Sequence, residues 1–261
     1  MQLPNYQRAT AQQKSFEPAP HSMDEQVVLI TGATGGLGTS LSFACAQAGA
    51  TVVLASRNQK KLEKLYDAII GEGFNEPAMV PLQQDKAGPD EYGQLADMLQ
   101  SEFGKLDALI HCSAELGTPT PQINIEHSEW VRVMNVNLTS ARLLSLYCMP
   151  MLMKSNLGSM VFLLDHKTTA YWGGYGVSKQ ALQTMMHMMA DEIDNKLGDD
   201  QYPVLAINGY DPGPIRTQLR RRAFPGELEN QTELPKARLG PLLSMLTRAD
   251  RSMMGVALAF E

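Results

Sequence analysis

From residue 26 onward, short apolar runs take turns with longer stretches of helical periodicity, and this alternation leaves the chain very few architectures. Residues 26–31 (QVVLIT), 51–55 (TVVLA), 78–82, 106–111 (LDALIH), 159–164 (SMVFLL) and 203–209 (PVLAING) read as strands, with a short final one at 255–260. Helical spacing fills 39–48, 59–71, 89–103, 127–150 and 175–197, and the 127–150 stretch is long enough to bend. Strands that show little polar alternation are covered on both faces, and strands joined through helices run parallel. Right-handed crossovers then predict a single doubly wound parallel sheet of the Rossmann type, an α/β fold with helices on both faces. The span 24–261 makes one such domain. Residues 215–240, with Pro225, Gly226, Pro235 and mixed charge, are too irregular for core and too long for a plain connection, so a lid-like insertion is expected there.

Composition excludes several partners. The net charge is −6, from 22 basic and 28 acidic residues, so a nucleic-acid partner is not expected. The one basic cluster, Arg220-Arg221-Arg222, is local and reads as a solvated face beside a loop. No apolar run approaches the length of about 20 residues that spans a bilayer, so no membrane association is expected. Cys45, Cys112 and Cys148 lack metal-like spacing and sit in apolar surroundings, which fits reduced core thiols in a cytoplasmic protein with no metal site. Residues 1–23 are rich in Gln, Pro and Ser and lack the charge and apolar blocks of a secretion signal. They read as a flexible arm, or one that docks on a partner subunit.

Between the first strand and first helix lies Thr31-Gly32-Ala33-Thr34-Gly35-Gly36-Leu37-Gly38. Gly32 lets the chain turn sharply, Gly36 lets backbone approach a pyrophosphate, and Gly38 lets the helix pack on the sheet. The free N–H groups and dipole of the helix start favour that anion, so Thr34 and Leu37 join the three glycines as expected dinucleotide contacts. The second strand ends in Ala55-Ser56-Arg57-Asn58 with no acid to take ribose hydroxyls. Arg57 can pair with a 2′-phosphate and Ser56 can donate to it, which predicts NADP(H) as the cofactor.

The glycine turn, Val136-Asn137-Leu138 and Tyr175-Gly176-Val177-Ser178-Lys179, roughly 140 residues after the turn, together resemble the short-chain dehydrogenases/reductases over about residues 26–260. The segment around 220–225 resembles the YciK-type bacterial oxidoreductases. The resemblance implies that Asp85 contacts the adenine and that Asn137 supports the catalytic lysine through water. It makes Tyr175 the proton donor and Lys179 its partner. In Asp211-Pro212-Gly213-Pro214-Ile215-Arg216-Thr217, it implies that Pro212 and Gly213 wall the nicotinamide while Ile215 and Thr217 hold its carboxamide. It also implies a homodimer or homotetramer. Met185, Met186, Met188 and Met189 on the tyrosine's helix read as core or subunit interface.

A spacing of four puts Tyr175 and Lys179 on one helix face, where an ammonium lowers a phenol's pKa. Such a tyrosine can give a proton to a carbonyl oxygen as hydride reaches its carbon. The chain departs from the family at His111-Cys112-Ser113-Ala114, where Asn-Asn-Ala-Gly is usual, and His111 reads as a hydrogen-bonded structural residue. Asp211 stands where asparagine is usual. No serine lies between Met160 and Tyr175, and strand register puts Asp165 in the place of the catalytic serine. An ionised Asp165 cannot donate to a substrate oxygen and raises the tyrosine pKa. It serves only if protonated, or if paired with Lys167 or His166 and turned away so that Thr168 or Thr169 supplies a hydroxyl. The pocket is expected along 114–120, 167–171 and the lid, with Trp172 facing either a flat substrate or the core. Two readings follow: an NADP(H)-dependent oxidoreductase acting on a carbonyl or alcohol, or a dinucleotide-binding sensor or assembly protein with little turnover.

Overall fold

The computed structural model describes residues 6–194 and 204–261. Its eight strands are β1 (Gln7–Arg8), β2 (Val27–Thr31), β3 (Thr51–Ser56), β4 (Ala78–Pro81), β5 (Ala108–His111), β6 (Gly158–Leu163), β7 (Leu205–Asp211) and β8 (Ala257–Ala259). They form one sheet in the order β1-β8-β7-β6-β5-β2-β3-β4, with every pair parallel. Successive strand residues point to opposite faces, which is why the strands lack polar alternation. Val28, Ile30, Val52 and Leu54 meet α2 (Gly36–Gln47), α3 (Gln59–Gly71) and α9 (Gly240–Leu246) on one face. Leu29, Val53, Leu109 and Phe162 meet α4 (Pro89–Phe103), α6 (Ser140–Leu152) and α7 (Gly173–Asp194) on the other. The doubly wound α/β sheet is therefore present, and the chain reverses direction across it between β2 and β5.

Several boundaries differ from expectation. The 127–150 stretch is α5 (His127–Met134), a single π-helical segment Asn135–Thr139, then α6, so the asparagine segment interrupts the regular α-helix. The strand read at 203–209 ends two residues later, at Asp211, because β8 continues the ladder there; its first residue lies outside the described ones. The last residues of the helix read at 175–197 also lie outside them. Methionines of α7 divide, with Met186 buried, Met185 and Met189 half-buried and Met188 exposed.

The stretch read as an arm is partly tied down: residues 7–8 pair with β8 as an eighth strand, and α1 (Ala11–Lys14) lies near α9. Its physical reason is the free edge of β8, which takes the polar segment as a ladder partner. Residues 1–5 of that stretch lie outside the described ones. In the 215–240 segment, α8 (Gln218–Ala223) and two short 3-10 turns alternate with loops. The following α9 is wholly buried, a core helix that its seven residues are too few to announce. Among the described residues, no helix is long and apolar enough to cross a membrane.

Candidate active site

Carboxyl ends of parallel strands are where an open α/β sheet leaves a crevice, and here the crevice is a cavity of about 470 Å³. Of the sequence-expected residues, Gly32, Thr34, Gly36, Leu37, Gly38, Ser56, Arg57, Asp85, Asp165, Tyr175, Lys179, Pro212, Gly213, Ile215 and Thr217 all line it. Asn137 does not; it lies buried behind the wall. Thr168 and Thr169 are exposed and outside the cavity.

The glycine turn is sterically obligatory at two points. Gly32 has φ +63°, and a Cβ there would sit 2.9 Å from the Ser113 backbone. A Cβ on Gly38 would sit 2.3 Å from the Gly32 carbonyl oxygen. Backbone alone fills those spaces, which brings the start of α2 onto the turn. No side chain caps α2 at Gly35, so its first N–H groups remain for an anion. This cradle fits the pyrophosphate of a dinucleotide.

At the β3 end, Ser56 and Thr34 share a hydrogen bond of 2.6 Å. The Arg57 guanidinium, expected to await a phosphate, is held 3.3 Å from Glu115 Oε2. The other carboxylate oxygen of Glu115 lies 3.5 Å from Arg222 of α8. Arg220 is likewise engaged, pairing with Glu227 at 2.7 Å, so these two arginines of the basic cluster are not a plain solvated face. Asn137 clamps Glu115 by its backbone, accepting from the Glu115 N–H at 2.7 Å and donating to its carbonyl at 3.0 Å. It also donates to Ser178 at 2.9 Å, one residue before Lys179. His111 is a structural residue: it is buried, bonded to Ser145 at 2.9 Å and stacked on Phe162. Burial first, and Lys179 second, push its pKa down to about 3, so it stays neutral.

The Tyr175 end of the cleft is crowded with acids. Tyr175 donates its hydroxyl to Asp165 Oδ2 at 2.9 Å, while Asp165 Oδ1 meets the Lys167 ammonium at 2.6 Å. Asp165 is therefore paired with Lys167 but faces Tyr175 rather than turning away. Lys179 is buried and donates to the Leu163 carbonyl at 2.6 Å, with its ammonium 5.9 Å from the Tyr175 ring centre. The tyrosine pKa, expected to fall beside this lysine, is raised well above its ordinary value. Burial is the largest cause, followed by the charge and hydrogen bond of Asp165, then Asp211 and Tyr6. Burial also pushes the Lys179 pKa down, against Asp165, Cys112 and Asp211.

Asp211 accepts from the Gly213 N–H at 2.8 Å and the His166 N–H at 3.4 Å. Burial and Asp165 together lift its pKa to about 6. Tyr6, just before β1, brings a buried hydroxyl that finds no partner among the described residues, in the field of Asp211 and Asp165. Its sequence neighbourhood is polar and carries no motif, so only the strand pairing of β1 could reveal it. Trp172 packs between Tyr175 and Phe224, at 5.7 and 5.8 Å between ring centres, and so ties the start of α7 to the 215–240 segment.

This chain belongs to the short chain dehydrogenase family, whose pattern it matches over residues 26–228. It is 31% identical to the uncharacterized oxidoreductase YciK of Escherichia coli K12, over 84% of this chain and 85% of that protein. A short chain dehydrogenase structure from Pseudomonas syringae superposes with a TM-score of 0.89 at 30% identity, covering 95% of this chain and 99% of the other. One from Escherichia coli CFT073 complexed with NADPH gives 0.86 at 29%, covering 92% and 98%.

Proposed function

We propose that this protein is an NADP(H)-dependent oxidoreductase acting on a carbonyl or alcohol, with Tyr175 as proton donor. The observation that carries this reading is one cleft holding an uncapped glycine-rich helix start, Arg57 on a strand end without an acid, and the Tyr175–Lys179 pair. The structure of a relative complexed with NADPH supports the cofactor. When bound, the cofactor supplies the hydride. The start of α2 takes the pyrophosphate, Ser56 and Arg57 take the 2′-phosphate, and Asp85 lies on the adenine side. Lys179 uses one N–H on Leu163 and keeps two for ribose hydroxyls. Asn137 sets the loop that carries Glu115 and holds Ser178, and so positions Lys179. Pro212, Gly213, Ile215 and Thr217 form the wall on the nicotinamide side, and 215–240 acts as a lid. Tyr175 gives its proton to the substrate oxygen once its hydroxyl swings from Asp165 to that oxygen.

A second reading, cofactor binding without turnover in a sensor or assembly role, is favoured by one contact: the Tyr175 proton is already donated to Asp165. The test is a panel of aldehydes and ketones with NADPH, using the wild type, Tyr175→Phe and Asp165→Ser. Wild-type turnover that Tyr175→Phe abolishes, with NADPH binding retained, supports the oxidoreductase. NADPH binding with no turnover in wild type, and none gained in Asp165→Ser, leaves the second reading. A cytoplasmic location fits the three unpaired cysteines, and exposed Val131, Val177 and Met188 on α5 and α7 suit a homo-oligomer. Light scattering tests the latter.

A further inference from the structure

Glu115 is a buried carboxylate on the wall of the cofactor cleft that the reaction above does not use. Both sides of its peptide are fixed by Asn137, so its side chain projects from a rigid point. Its two oxygens are divided between two arginines from different parts of the chain. Arg57 approaches Oε2 from the β3 end, and Arg222 approaches Oε1 from α8 in the lid. A second nitrogen of Arg222 donates to the Gly117 carbonyl at 3.2 Å, which fixes the plane of its guanidinium.

The charges do not cancel. One carboxylate faces two guanidiniums, and Lys61 lines the same cleft. Both arginine side chains stay half or more exposed, at 62% and 50%, while Glu115 is 5% exposed. The carboxylate is thus the buried support, and the two cations are presented outward. A phosphate has three oxygens for planar donors, and a pair of guanidiniums held by one carboxylate is suited to grip it from two sides. A ribose hydroxyl would have to share Glu115's oxygens with these guanidiniums, whereas a phosphate meets the two cations directly.

We propose that Arg222, carried by the lid helix, is a second ligand of the cofactor's 2′-phosphate beside Arg57, and that Glu115 is the residue that positions both. Cofactor choice and the position of α8 are then coupled, because the 2′-phosphate adds a ligand to an arginine that Glu115 already holds at the cleft. This rests on the NADP(H) reading.

The experiment uses the full chain and two adenine probes, adenosine 2′,5′-bisphosphate and 5′-AMP, titrated by calorimetry, with NADPH and NADH followed by nicotinamide fluorescence. Arg222→Gln is expected to weaken the bisphosphate and NADPH on the order of tenfold to a hundredfold, the worth of a charge-assisted bond, and to leave 5′-AMP and NADH within about twofold. In a Glu115→Ala background the same change should weaken NADPH less than about threefold, because the arginine is no longer aimed. Melting curves check that each variant folds. A drop for Arg57→Gln with none for Arg222→Gln overturns the proposal and leaves NADP(H) standing. An equal loss of NADPH and NADH in Arg222→Gln overturns it too, since Arg222 would then serve the shared pyrophosphate or the lid alone. An undiminished Arg222→Gln effect in the Glu115→Ala background removes Glu115 from the positioning role. If wild type binds NADH as tightly as NADPH and Glu115→Gln weakens NADH, Glu115 holds the ribose and the NADP(H) reading itself fails.

Discussion

Replacing Asp211 by asparagine should stabilise the protein, and by an amount that depends on pH. Asp211 is 7% exposed and its pKa rises from an ordinary 3.8 to about 6, through burial first and the Asp165 charge second. A raised acid pKa means that the folded state holds the proton more tightly than the unfolded state. Stability is therefore complete below the unfolded pKa and falls as pH rises through the window from about 4 to about 6. At about 1.4 kcal/mol for each tenfold change in ionisation constant, the loss levels off near 3 kcal/mol, with roughly half present at pH 5. Asparagine removes that loss but keeps only one acceptor for the Gly213 and His166 N–H groups, a penalty of about 1 kcal/mol. The net gain is about 2 kcal/mol at pH 8 and well under 1 kcal/mol at pH 5. Urea denaturation of both proteins at each pH measures it, because the difference between them cancels the other titrating groups. A gap that is the same at both pH values, or that widens toward acid, refutes the reasoning. Removing this charge also takes one of the carboxylates away from the Tyr175 phenol, so the same variant should ionise that tyrosine at lower pH.

Gly38→Ala places a methyl 2.3 Å from the Gly32 carbonyl oxygen, so α2 must lift from the turn. A loss of about 1–3 kcal/mol in urea and weaker NADPH binding are expected, whereas Gly71→Ala, with nothing within 4 Å, should change stability by less than about 1 kcal/mol. Tyr6→Phe deletes a buried hydroxyl without a partner among the described residues, so stability should hold or rise by about 1 kcal/mol. A fall of that size in the same titration would mean the hydroxyl is bonded.

The sheet was legible because its strands are covered on both faces. Runs such as Val27-Val28-Leu29-Ile30 carry that burial in the local pattern, without any knowledge of what covers them. The glycine turn was legible for a related reason: its steric demand lies within eight consecutive residues. Tyr175 and Lys179 sit one helical turn apart, so their shared face follows from spacing alone. That Asp165 lies just past the end of β6, close to Tyr175, could be expected from strand register too.

What Asp165 does was not visible. Whether it turns toward Tyr175 or away depends on where Lys167 lands and on a loop whose path the residues do not dictate locally. Strand β1 is two polar residues, Gln7 and Arg8, and its pairing exists only because β8 leaves an open edge beside it. Glu115 and Arg222 are 107 positions apart and meet only because the 215–240 segment packs against the cleft. Sequence by itself determined the fold, the glycine turn and the tyrosine–lysine pair, because each rests on short-range periodicity or local sterics. Tertiary structure decided which charges face one another in the cleft, because electrostatic partners are chosen by distance in space and not by separation along the chain.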